Sequence, residues 1–151
     1  MSSDKPDRSG CFTEMHYRLF DHTADLGVEV FGKTRKDLFV NAADALFDLL
    51  LDTRGIQPTV VREIVIEGSD ITDLFVNYLR EILYLFNGTA FVLTDCRVRQ
   101  IDNHHLVAEI RCGRFDARKH RIRTEIKAVT YHQASVRKTA QGWMGRIIFD
   151  V

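Results

Sequence analysis

The sequence predicts an α+β fold: a single-domain antiparallel or mixed β-sheet with two amphipathic helices packed on one face. Three observations carry that prediction. Two apolar segments at helical spacing lie in the first part of the chain, over 35–51 and 71–87. Almost everything after residue 90 has strand character, with turn signals between the runs. The strands are mostly joined by connections of hairpin length, which favour antiparallel pairing and leave one sheet face for the helices.

The elements follow in order. "MSSDKPDRSG" has no apolar stretch and reads as a floppy tail, so a disordered segment is expected over 1–15 and a domain over 16–151. Tyr17–Phe20 and Leu26–Phe31 are short strands flanking a polar cluster of Asp21, His22, Thr23 and Asp25. Gly32 breaks the second strand, and Thr34 with Asp37 three residues on resembles a capping box. Leu38, Phe39, Ala42, Ala43, Leu46, Phe47 and Leu50 then form one helix face, and "DTRGIQP" ends it. Residues 59–68 make a β-branched strand. Ser69 or Asp70 caps a second helix with a wide apolar face, and Asn87-Gly88 stops it. Strands are expected over 91–101, 105–112 and 123–132, and "ASVRKTAQGWMGRIIFDV" is a hairpin folded around Ala140-Gln141-Gly142. No internal repeat stands out, although the strand–helix–strand–helix order leaves room for an old duplication.

The totals bound the class. A chain of 151 residues suits one domain, able to bury roughly 70% of its unfolded surface. Hydrophobic residues at 45% and charged residues at 28% describe a soluble globular protein. Lys+Arg and Asp+Glu are both 21, which argues against a generic nucleic-acid coat. That balance hides a polarity: residues 1–75 hold 14 acids and 8 bases, residues 76–151 hold 7 acids and 13 bases. Six of those bases, against one Asp, crowd "RCGRFDARKHRIR" at 111–123. Cys11, Cys96 and Cys112 are odd in number and lack C-x-x-C spacing, which fits a reducing cytoplasm and no structural zinc. No window approaches the ~18 apolar residues of a membrane span.

Four places could carry chemistry. Asp25 opens a strand, where Asp is ordinarily a turn former, and His22 is ordinarily a packing residue. The final strand, "GWMGRIIFDV", is apolar up to Asp150 and Val151, so the main-chain carboxylate of Val151 stands beside the Asp150 side chain. If that strand lies next to the one starting at Asp25, three carboxylates converge. They then need a cation or raised pKa values, and oxygen-only ligands favour Ca²⁺ or Mg²⁺ over Zn²⁺. In "EIKAVTYH", alternation puts Glu125, Lys127, Val129 and Tyr131 on one face, so Lys127 is either a solvated surface charge or a cation fixed near the acids. The stretch 111–123 is either solvated surface or a loop facing phosphate or RNA. There is no G-x-x-x-x-G-K-[ST], G-x-G-x-x-G, G-x-S-x-G or H-E-x-x-H, which disfavours the common self-contained enzymes.

"YRLFDHTADLGVEVFGKT" followed by "FVNAADALFDLLLDT", then "EIKAVTYH" and "GWMGRIIFDV", resembles the archease family, in order and over essentially 16–151. The resemblance implies a small cytoplasmic protein, itself not an enzyme. Such proteins assist the GTP-dependent 3′-phosphate RNA ligase of tRNA splicing and RNA repair, promoting guanylylation of its active-site histidine and multiple turnover. The metal site it implies falls on Asp25, Asp150 and Val151, with Ca²⁺ the usual ion and Mg²⁺ or Mn²⁺ as alternatives. The family lysine falls on Lys127. Asp21, His22 and Thr23 would shape the turn that aims Asp25. The expected partner is the ligase with GTP or GMP in its site; direct RNA contact is left open and no membrane is involved. Two other readings stand beside it: a metal-dependent phosphoesterase using Asp25 and Asp150, and a chaperone-like or RNA-binding module acting through 111–123.

Overall fold

The computed structural model describes residues 16–20 and 25–151. The expected tail over 1–15 therefore lies outside the described residues. Seven strands and two helices follow one another as β1 (Tyr17–Phe20), β2 (Leu26–Gly32), α1 (Arg35–Leu50), β3 (Val60–Glu67), α2 (Ile71–Thr89), β4 (Phe91–Ile101), β5 (His105–Arg114), β6 (Ala128–Thr139) and β7 (Gly142–Asp150). All pairings are antiparallel. The strands divide into two sheets, ordered β1-β2-β7-β6 and β3-β5-β4.

Both helices pack against strands of both sheets, and this explains their wide apolar arcs. In α1 the buried residues run from Leu38 and Phe39 to Phe47 and Leu50, and in α2 from Leu74 to Leu85. A stripe facing a single sheet would be narrower. Phe39 meets Phe75 edge to face at 5.2 Å and Phe47 meets Phe86 at 6.3 Å, so the helices run side by side in the same direction. The Tyr78 hydroxyl, fully buried, donates to the Phe39 carbonyl at 2.9 Å.

The two halves are copies of one plan. "DLFVN" at 37–41 recurs at 73–77, an offset of 36 residues. The local chemistry repeats with it. Asp37 N–H donates to Thr34 Oγ1 at 3.1 Å and Asp73 N–H to Asp70 Oδ1 at 2.8 Å, capping the two helices. Asn41 Nδ2 donates to the Phe31 carbonyl at 2.8 Å, and Asn77 Nδ2 to Glu67 at 2.9 Å. Gly32 and Gly68 each let the following helix come so close that a Cβ would lie 2.3 Å from Leu38 N and 2.4 Å from Leu74 N. The sheets match as well: β2-β7-β6 and β3-β5-β4 share one order, each built from a strand, a helix and a later hairpin. The expectation of no visible repeat is thus corrected. The duplication was veiled because the second unit, β3-α2-β4-β5, is inserted between α1 and β6 of the first.

Two boundaries also differ from expectation. The strand expected over 123–132 begins only at Ala128 and continues to Thr139. Residues 123–127 cross the helix ends instead: Arg123 N–H donates to the Leu50 carbonyl at 2.7 Å, and Asn87 Nδ2 to the Ile126 carbonyl at 3.0 Å. The last carbonyls of a helix have no partner within it, and the chain supplies one here in place of sheet pairing. Likewise α2 does not stop at Asn87-Gly88 but runs to Thr89, leaving Ala90 in the left-handed region at φ 62°.

Candidate functional site

The sheet β1-β2-β7-β6 decides where the candidate residues go. Leu26 faces Phe149 across β2 and β7, so one step further Asp25 and Asp150 stand at facing strand ends. On the other side Ala128 faces Asp150, and Lys127 N–H donates to the Asp150 carbonyl at 2.7 Å. Asp25, Asp150, Val151 and Lys127 therefore share one end of one sheet, although 125 positions separate the two Asp residues in the chain. Asp25 is half-buried, whereas Asp150, Val151 and Lys127 are exposed. Val28 and Phe149, both buried in the core, hold the two strands in register beneath them. Asp21, His22 and Thr23 lie outside the described residues.

Lys127 is fixed from three sides. Besides its own bond to Asp150, the chain is held just before it by Asn87 on Ile126 and just after it by Arg80 Nε, which donates to the Val129 carbonyl at 3.2 Å. Its side chain lines a groove of about 420 Å³ between α2 and the start of β6, together with Arg80, Leu83, Tyr84 and Asn87. The backbone on either side of this cation is thus pinned, while the side chain faces open space.

Several supporting residues escaped the sequence reading. Between Thr130 and Ser135, β6 spends five steps where β7 spends two, from Ile148 to Arg146. This wide bulge throws Tyr131 toward α2, where its hydroxyl donates to Asp73 and its ring carries the Arg80 guanidinium at 4.7 Å. The hydrogen bond holds the Asp73 carboxyl below its usual range and pushes the Tyr131 hydroxyl up. Gln133 sits in the bulge at φ 57° and accepts from Arg146 Nη2 at 3.2 Å. Arg146 also donates to Glu29 at 3.0 Å, Arg18 donates to the other Glu29 oxygen at 2.6 Å, and the Phe20 ring lies 3.9 Å from the Arg146 guanidinium. Glu29, only 7% exposed, is clasped by two arginines and braces β1, β2 and β7 just behind the carboxylate end. None of this is readable from one-dimensional spacing. The only available signal was a Tyr-His-Gln run interrupting the apolar alternation.

Among the described residues, Asp25 and Asp150 offer carboxylate oxygens at this sheet end. Among the described residues no group of three or more His, Cys, Asp or Glu side chains gathers anywhere. Carboxylate oxygens such as those of Asp25 and Asp150 are the donors a hard divalent ion takes, and zinc ordinarily asks for His or Cys.

The model of the Archease protein family matches residues 17–151. This chain belongs to the archease family. A protein archease of Methanosarcina barkeri is 37% identical over 139 residues, covering 89% of this chain and 95% of its own length. One of Archaeoglobus fulgidus is 37% identical over 141 residues, with 91% and 100% covered. Among solved structures, protein 1598 of Methanobacterium thermoautotrophicum superposes with a TM-score of 0.75 at 26% identity, covering 90% of this chain and 99% of that one. A Thermotoga maritima protein described as "an archease, possible chaperone" shares the fold, with a TM-score of 0.62 at 24% identity. The archease fold is accordingly the frame of the site, and no helix among the described residues is long and apolar enough to cross a membrane.

Proposed function

We propose that this archease is a metal-binding accessory protein of the GTP-dependent 3′-phosphate RNA ligase, and promotes guanylylation of that enzyme's active-site histidine. The observation that carries the reading is the meeting of Asp25, Asp150 and Lys127 at one exposed sheet end. Asp25, Asp150 and the Val151 carboxylate would hold the ion, Ca²⁺ first and Mg²⁺ or Mn²⁺ as alternatives. When bound, it supplies positive charge toward a polyphosphate. Lys127 contributes a second positive charge from a pinned backbone, suited to orienting a triphosphate presented by the partner. Exposure of Asp150, Val151 and Lys127 supports presentation of this end to another protein's nucleotide site.

The test is single-turnover guanylylation of stalled ligase with labelled GTP and a divalent ion, with and without this protein. Wild type should restore labelling and turnover, whereas Asp150→Asn and Lys127→Ala should each lose the effect while remaining folded. Equal labelling with and without wild-type protein overturns the proposal. Phosphate release from small esters by the isolated protein, abolished in Asp25→Asn, would favour a phosphoesterase instead.

A further inference from the structure

The basic stretch 111–123 remains unexplained by the carboxylate end, yet it lies at the same pole. α1 and α2 end there side by side, and the loops 51–59 and 115–127 close over them. Asp52 N–H reaches the Arg121 carbonyl at 3.5 Å, Leu51 bridges to Ile122, and Phe115 meets Phe86 edge to face at 5.1 Å. By the 36-residue offset, Asp25 corresponds to Val61 at the start of β3. One copy of the plan thus ends in carboxylates, and the other ends in arginines.

Charge pairing at this pole separates structural cations from the remainder. Arg123 pairs with Asp48 at 3.1 Å, Arg54 with Asp52 at 2.7 Å and Arg118 with Asp116 at 3.4 Å. Those pairs engage Asp48, Asp52 and Asp116, the aspartates beside these loops. Arg62, Arg114, Lys119 and Arg121 are exposed, and among the described residues no carboxylate lies within ion-pair distance of them. Arg62 and Arg114 are both held against the Phe91 ring, at 5.1 and 4.9 Å from its centroid, so one aromatic side chain anchors two guanidinium groups. Lys119 meets the charge of the nearby Asp116, which also pairs with Arg118, so the cations here outnumber the acids and create a positive field; guanidinium forks match phosphate oxygens. From this patch the chain 123–127 leads to the groove where Tyr84, 57% exposed, offers a ring face beside Lys127.

We infer that this pole binds the phosphodiester backbone of single-stranded RNA, with Arg62, Arg114, Lys119 and Arg121 contacting phosphates and Tyr84 stacking on a base. An acidic protein segment is the weaker fit. Three of the four cations are exposed arginines, whose forks match phosphate, and the groove reached along 123–127 adds the exposed Tyr84 ring beside Lys127. The inference is independent of the metal and ligase reading, and its test is separate.

Fluorescence anisotropy with a 5′-labelled oligouridylate of about 15 nucleotides reads it directly. With three to four phosphates neutralised, log affinity should fall against log salt with a slope of about −2 to −3. The pair Lys119→Glu/Arg121→Glu should weaken binding at least about tenfold at low salt, and losing two contacts should flatten the slope by about 1.4. If charge reversal disturbs the far-UV spectrum, Lys119→Gln/Arg121→Gln replaces it, with the same slope change expected. No binding at low salt, or an unaltered slope in the charge variants, overturns the inference. Competition by polyglutamate as effective as by RNA also overturns it and assigns the patch to an acidic protein.

Discussion

The repeated glycines give a quantitative handle on the duplicated plan. Gly32→Ala and Gly68→Ala place a methyl carbon 2.3 and 2.4 Å from the backbone nitrogens of Leu38 and Leu74. Ordinary contact begins near 3.4 Å, so each helix start must retreat by about an ångström, against caps and a core built around Leu38 and Leu74, both wholly buried. Overpacking of this sort costs about 1–3 kcal/mol, and here it acts on rigid backbone, which favours the upper half of that range. The lower chain entropy of Ala in the unfolded state offsets about 0.4–1 kcal/mol. Each variant should therefore lose about 1–2.5 kcal/mol, and the two losses should be alike. Gly88→Ala is the control. The three atoms nearest its Cβ all belong to the Tyr84 ring, the first at 2.2 Å, and that ring is exposed enough to swing aside. Gly88 lies inside α2, where Ala is favoured by about 1 kcal/mol, so this variant should be neutral or stabilised. Urea unfolding followed by Trp143 fluorescence and far-UV dichroism measures all three. A Gly68→Ala protein as stable as wild type, or a Gly88→Ala protein losing more than Gly32→Ala, would refute the close-approach argument.

Three further outcomes are expected. Ala90→Gly should stabilise the protein by about 0.5–1 kcal/mol in the same urea assay, because a residue with a Cβ bears the left-handed turn that ends α2. Asp73, Asp102 and Asp116 are all held below the usual carboxylate range, by the Tyr131 hydroxyl, by the His104 and His105 amides, and by the Arg118 amide respectively. Stability should accordingly be fully present above about pH 4 and fall as pH drops through that range toward the lowered native values; Tyr131→Phe should make the acid limb of a pH–Tm profile shallower. A tag fused after Val151 should weaken Ca²⁺ binding in calorimetry by converting a carboxylate to an amide, whereas a tag before Met1 should not; equal affinities would remove Val151 from the ligand set.

The helices were legible because their caps and apolar faces are local: Thr34 with Asp37, and Asp70 with Asp73, cap as the spacing indicates. The hairpin turning at Ala140-Gln141 was legible for the same reason. What escaped was long-range. The division into two sheets depends on β2 choosing β7 over its chain neighbours, and no window of sequence contains both. The run 123–127 has strand-like residues, but the unpaired carbonyl of Leu50 and the Asn87 amide claim it first. The "DLFVN" repeat was present in plain letters and was missed because the helices differ after it, as with Ala42-Ala43 against Tyr78-Leu79. At the candidate site, residue types pointed to Asp25 and Asp150, whereas the bracing of Lys127 by Arg80 and Asn87 required the helix to be seen beside the strand.

The nesting of one unit inside the other has a temporal side. β3, α2, β4 and β5 are contiguous and close short loops when they pair, whereas β2 pairs with β7 across more than a hundred residues, a costlier closure. The outer unit closes last, and its closure is the event that carries Asp150 to Asp25. A chain cut short before its final strand would keep the contiguous inner unit and its basic residues but would lack Asp150, and with it the acidic corner.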